Sequence, residues 1–195
     1  MNHGVRLCAA AVLAMTGFAA PAHADAGAPM LALVWPCAWI LLIPIILVEA
    51  VVAVRVLKLG FWAGVKIAGI ANLVSTLVGI PVTWVLLVLI QMLTGGGGAW
   101  GIDTIPRKVL AVTWQSPWLI PYESEFYWMV PAAAAVLCVP FFFMSVWCEN
   151  LVARRFFAKE ERPNVLRWAW KANLLSYGLV ILWPLTVLLV NIYDR

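Results

Sequence analysis

Glu49-Ala50-Val51-Val52-Ala53-Val54-Arg55 returns later in the chain as Glu149-Asn150-Leu151-Val152-Ala153-Arg154-Arg155, with glutamate, valine, alanine and arginine in the same register. A second stretch behaves alike. Lys66-Ile67-Ala68-Gly69-Ile70-Ala71-Asn72-Leu73-Val74-Ser75 returns as Arg167-Trp168-Ala169-Trp170-Lys171-Ala172-Asn173-Leu174-Leu175-Ser176. Alanine and leucine recur by chance in any apolar helix, whereas glutamate, asparagine, serine and arginine do so far less readily. The two matches predict a duplicated helical hairpin whose copies run in the same direction, related by a pseudo-twofold axis along a membrane normal.

The surroundings of both copies are apolar. Hydrophobic residues make up 65% of the chain and charged residues 11%, and the mean hydropathy is +0.96. Soluble domains carry about half apolar and a quarter charged residues, so the chain is counted in membrane spans. Four apolar runs, 31–54, 67–93, 127–147 and 168–192, are each long enough to cross a bilayer as a helix. Prolines at 36, 44, 81, 131, 140 and 184 fall in them and predict bent helices, because a proline frees a carbonyl one turn upstream. The expected fold is all-α: a polytopic membrane protein of four transmembrane helices arranged as two parallel-repeat hairpins.

Residues 1–24 read as a cleaved signal peptide. Arg6 supplies the positive start, Leu7 to Phe18 a short apolar stretch, and Ala22-His23-Ala24 the small-x-small cleavage site. The apolar stretch is too short to span, and Pro21 follows it. Cleavage after Ala24 removes His3, His23 and Cys8, and with the histidines any imidazole catalysis or ligation. Cys37, Cys138 and Cys148 remain, an odd number in or beside spans, which reads as buried thiols rather than a disulfide framework. Residues 25–93 then form the first hairpin, 94–126 an outer connection and 127–195 the second hairpin.

Orientation follows from the basic residues. The short connections 55–66 and 148–171 hold Arg55, Lys58, Lys66, Arg154, Arg155, Lys159, Arg162, Arg167 and Lys171; the long connection and the C-terminus hold Arg107, Lys108 and Arg195. The excess places the short connections in the cytoplasm. A cleaved signal leaves the mature N-terminus outside and demands the same arrangement, so the expected site is a bacterial inner membrane with both mature termini outside. Trp35, Trp39, Trp100, Trp118, Tyr122, Tyr127 and Trp128 read as an outer aromatic belt, and Trp62, Trp147, Trp168 and Trp170 as an inner one. The outer connection opens on Gly95-Gly96-Gly97-Gly98, a flexible tether, and continues through Val109 to Trp114 as an interfacial or re-entrant segment.

Polar groups inside the spans are the candidate functional residues. Glu49 stands six residues before Arg55, the wrong spacing for a same-face pair, so its partner must come from another helix. Asn72 stands six residues after Lys66 and therefore at about the same depth, some 9 Å from the boundary at ~1.5 Å per residue. Ala68, Asn72, Ser75, Thr76, Gly79 and Thr83 form one small, polar stripe of the kind at which membrane helices approach and hydrogen-bond. Glu149, Asn173 and Ser176 repeat the scheme, with Glu149 nearer the boundary and expected to be wetted. Three uses fit this cluster of Glu49, Asn72, Ser75, Thr76, Glu149, Asn173 and Ser176: interhelical clamps, a substrate or ion path, or a site for lipid headgroups or a hard cation.

Gly95–Gly98 is not followed by Gly-Lys-Ser/Thr, and the chain lacks Gly-x-Ser-x-Gly, His-Glu-x-x-His and Cys-x-x-Cys. No catalytic, cofactor-binding or metal site is expected, and no nucleic acid. The Arg- and Lys-rich connection 153–171 is expected to attract anionic lipid. Glu49, Arg55, Asn72, Leu73, Ser75, Thr76 and Gly79 together give a hairpin that resembles one in the cyanobacterial filament-integrity membrane proteins, a likeness that leaves out the signal peptide, the second copy and the outer connection. It implies a structural membrane role and assigns no functional residue. The expected function is a non-enzymatic structural or assembly component of the membrane, meeting the bilayer and a protein partner or a second copy of itself. A small oligomeric transporter or channel component using Glu49 and Glu149 is the alternative.

Overall fold

The structure is a computed structural model that describes residues 36–95, 101–113 and 124–194. The expected signal peptide lies outside the described residues, as do Trp35, Trp100, Trp114, Trp118, Tyr122 and the three glycines 96–98. Helix α1 (Pro36–Val56) runs antiparallel to a return leg made of α2 (Phe61–Val74), a π-helical turn (Ser75–Gly79) and α3 (Ile80–Gly95). A short helix, α4 (Ile105–Thr113), leads to α5 (Phe126–Ala153), and a second return leg follows as α6 (Arg162–Val180) and α7 (Leu182–Tyr193). Among the described residues there is no strand, and four helical segments are long and apolar enough to cross a membrane.

Large apolar side chains point outward: Leu93 is 85% exposed, Leu189 68% and Ile40 63%. That inverts a soluble fold and suits a hydrocarbon surround. The core is made of small residues instead. Ala53, Ala68, Ala71, Ala153, Ala169 and Ala172 are all fully buried around Val165 and Trp168. In lipid, apolar transfer does not drive helices together, and small residues let backbones approach for dispersion contact and hydrogen bonds. Gly64 is the extreme case: a β-carbon added there would lie 3.0 Å from the Ala50 carbonyl oxygen.

Both return legs are irregular one turn before a proline. Pro81 cannot donate to Leu77, and the helix widens into the π-turn over Ser75–Gly79. Pro184 leaves Val180 in the same position, and the helix breaks at Ile181. Pro44, Pro131 and Pro140 are carried inside continuous helices.

Three expectations are corrected. The basic connections are shorter than 55–66 and 148–171, since α2 starts at Phe61, α5 runs to Ala153 and α6 starts at Arg162. Glu149 is consequently enclosed by helix and fully buried, not wetted. Trp168 is no belt residue: it is fully buried in the core, whereas Trp62, Trp147 and Trp170 are exposed. The segment expected to be interfacial contains α4, whose Ala111 and Val112 pack on Met129 and Ala133 of α5 while Ile105 and Val109 stay exposed. An Asp103–Arg107 ion pair at 2.7 Å fixes its start. Donation from Arg107 holds the Asp103 carboxyl below its ordinary range.

Candidate functional site

The core of the bundle is crossed by two fully buried carboxyl groups, Glu49 on α1 and Glu149 on α5. Each takes its first hydrogen bond from its own hairpin. Asn72 Nδ2 donates to Glu49 Oε2 at 2.5 Å, and Asn173 Nδ2 donates to Glu149 Oε2 at 2.6 Å. The second amide hydrogen is used identically in both places, reaching the carbonyl one turn back: Ala68 O and Ala169 O, each at 3.0 Å. That local bond fixes the asparagine side chain along its helix and aims it at the carboxyl.

The remaining carboxyl oxygens look to the opposite hairpin. Ser176 Oγ on α6 donates to Glu49 Oε1 at 2.8 Å, and Ser75 Oγ at the head of the π-turn lies 3.4 Å from Glu149 Oε1. Each carboxyl is thus held by its own asparagine and approached by the other hairpin's serine. The crossing is unequal. A serine has one hydrogen, and each also lies near the carbonyl three residues back, a common use of serine inside helices. Ser176 is 3.3 Å from Asn173 O, so its shorter contact is the carboxyl, whereas Ser75 is 3.0 Å from Asn72 O, so its shorter contact is its own helix.

Trp168 adds a third link in one direction. Its Nε1 donates to the backbone carbonyl of Glu49 at 3.1 Å, tying α6 to α1. The matching residue of the first hairpin is Ile67, whose side chain has no donor. Asn173 Oδ1 is buried and has no partner among the described residues. Ser145 and Tyr177 share a hydrogen bond at 2.9 Å beside the pair.

Of the seven residues predicted from sequence, six meet here. Thr76 is half-buried and makes no bond to either carboxyl. Sequence reasoning missed the role of Trp168, placed in a belt because indoles concentrate at headgroups. Its signal was position: it directly follows Arg167 on the same face as Ala172 and Ala169. Among the described residues no arginine or lysine reaches the carboxyls, and no group of three acids, cysteines or histidines gathers for a metal. A cavity of about 280 Å³ lies at the end away from the basic connections, lined by Lys108, Tyr127, Trp128 and Ile192, and neither carboxyl borders it. What the cluster can do is hold four helices in register through hydrogen bonds of high local strength.

Family models, curated proteins and solved structures yield no match to this chain.

Proposed function

We propose that the protein is a non-enzymatic structural or assembly component of a membrane, built from a duplicated hairpin whose copies are locked by the crossed carboxyl clamp. The reciprocal hydrogen bonding carries this reading: Glu49 accepts from Asn72 of its own hairpin and from Ser176 of the other, and is fully buried. A transport path through the same carboxyls would need water or an ion to reach them, and both glutamates are 0% exposed. Matching positions making matching bonds support duplication. The exposure of all nine basic residues at the end of the short connections supports that end in the cytoplasm, with both mature termini outside a bacterial inner membrane after signal removal.

Stability in detergent together with function in liposomes tests this. Glu49→Gln keeps an acceptor for Asn72, and its amide can donate to Ser176, so it should change stability by less than ~1 kcal/mol. Glu49→Leu should cost about 3 kcal/mol by leaving two buried donors unmade. Loss of pH- or ion-coupled flux in a stably folded Glu49→Gln variant would replace the clamp by transport.

A further inference from the structure

Helix α6 buries Val165, Trp168, Ala169, Ala172, Asn173 and Ser176 on one face. The opposite face carries Arg167, Lys171, Leu174 and Gly178, all of them exposed. That face looks out to lipid, directly away from the clamp. Lys171 stands nine residues beyond Arg162, a rise of about 13 Å, and only about 3 Å short of Asn173 and the level of the carboxyl pair. Arg167 stands about 6 Å nearer the basic connections.

Two cations four residues apart on a lipid-facing surface are costly. Side chains lean toward the start of their helix, so the Lys171 ammonium reaches back toward the headgroups alongside Arg167. Like charges at that spacing repel each other. Neither residue makes an ion pair among the described residues, where the one pair is Asp103–Arg107 at the other end of the bundle. Snorkelling alone therefore brings the two charges together without neutralising them. An anion held between them removes the conflict.

Duplication separates this pair from the general basic character of that end. Lys66 matches Arg167, but Ile70 matches Lys171 and Gly69 matches Trp170. Ile70 is exposed, so the first hairpin meets lipid there with an apolar side chain. The second hairpin carries a lysine and an indole instead. Trp170 is fixed beside Lys171 by edge-on contact with Phe142 and Phe143 of α5, at ring-centroid distances of 5.3 and 6.0 Å. Further along the face Leu174 is 68% exposed and Gly178 is bare, with nothing within 4 Å of a β-carbon placed there. The surface thus joins two cations, an aromatic wall and an apolar track beneath them.

We infer that α6 binds the headgroup of an anionic phospholipid from the leaflet at the basic end, through Arg167 and Lys171, with an acyl chain lying along Leu174 and Gly178. A phosphate suits the pair: a guanidinium donates to two of its oxygens side by side, and an ammonium meets it as a point charge. A soluble phosphate suits it less, because Lys171 lies about 13 Å along a segment apolar enough to span a membrane. The site requires α6 to cross a membrane and requires nothing of the clamp, whose residues face the other way. It also differs from diffuse attraction by the basic connection, in which each exposed cation contributes about equally.

Native mass spectrometry of the full chain in detergent, titrated with phosphatidylglycerol or phosphatidylcholine, tests it. The wild type should bind its first phosphatidylglycerol about tenfold more tightly than phosphatidylcholine, the scale of a charge-assisted hydrogen bond. Lys171→Ile, which installs the first hairpin's residue, should remove that preference. Lys171→Arg should keep it, and Lys159→Gln should leave it unchanged. No preference in the wild type, a preference that survives Lys171→Ile, or an equal loss in Lys159→Gln overturns the inference, as does displacement of the lipid by inorganic phosphate. If Lys171→Ile fails to fold, Arg167→Gln is read in the same way, with a lost preference expected and an unchanged one contradicting it.

Discussion

At Gly64 the first hairpin brings two backbones into contact, with a would-be β-carbon 3.0 Å from Ala50 O; at the matching position the second hairpin buries the whole side chain of Val165. The same contrast runs through the clamp. Glu49 receives two short donations and Trp168 on its backbone carbonyl, while Glu149 receives one short donation and a serine at 3.4 Å. The two hairpins therefore share a plan and divide the work. The first packs by backbone approach, and the second supplies the bulk and the stronger reach across the interface. Equal sequences at the polar positions do not give equal bonds, because a serine's single hydrogen goes to whichever acceptor its local backbone brings nearer.

The comparison can be broken most forcefully at the carboxyls. Glu49→Leu should lower stability by about 3 kcal/mol and Glu149→Leu by ~1 kcal/mol less, since only one well-aligned donor is orphaned there. Reversible SDS unfolding in mixed micelles reads both, and equal losses would erase the asymmetry. Next come the packing positions. Gly64→Val should cost about 2 kcal/mol by forcing α1 and α2 apart, and Val165→Gly a similar amount by leaving a cavity and a flexible backbone. Transplanting both changes into one chain should not restore the loss, because each hairpin is built around its own residue.

Smaller effects sharpen the reach across the interface. Trp168→Phe keeps an aromatic side chain but removes the bond to Glu49 O and leaves a small cavity, for a loss of at least ~1 kcal/mol in the same assay. At the far end, Asp103 is exposed and its carboxyl is held low by Arg107. A depressed acid lends its support above its unfolded value and loses it as pH falls through the folded value, below the ordinary 3.8. The protection of the Lys108 amide, bonded to Thr104 O, measured relative to its intrinsic exchange rate, should fall as pH drops through the folded value in the wild type and be lower at neutral pH in Arg107→Ala, without change in the core.

Much of this architecture was readable in the chain. The four spans and the meeting of Glu49 with Asn72 follow from hydropathy and from a 1.5 Å rise counted from basic anchors. The repeated polar letters predicted six of the residues that meet. Which serine serves which carboxyl was not legible, because that depends on how the hairpins face each other and on the π-turn that Pro81 induces at Ser75. The burial of Glu149 was misread because Cys148 to Arg167 is rich in charge, yet α5 and α6 continue through both flanks of that segment and cover the carboxyl. Trp168 shows the same limit: composition assigns an indole near a boundary to the headgroups, and only packing reveals the bond it makes inward.

A double-mutant cycle across the two hairpins tests the account most directly. Glu49→Leu, Ser176→Ala and their combination, unfolded reversibly in mixed micelles, should give a coupling energy of ~1 kcal/mol, within the range of interhelical hydrogen bonds in membranes. Strict additivity of the two changes would contradict a clamp that joins the first hairpin to the second.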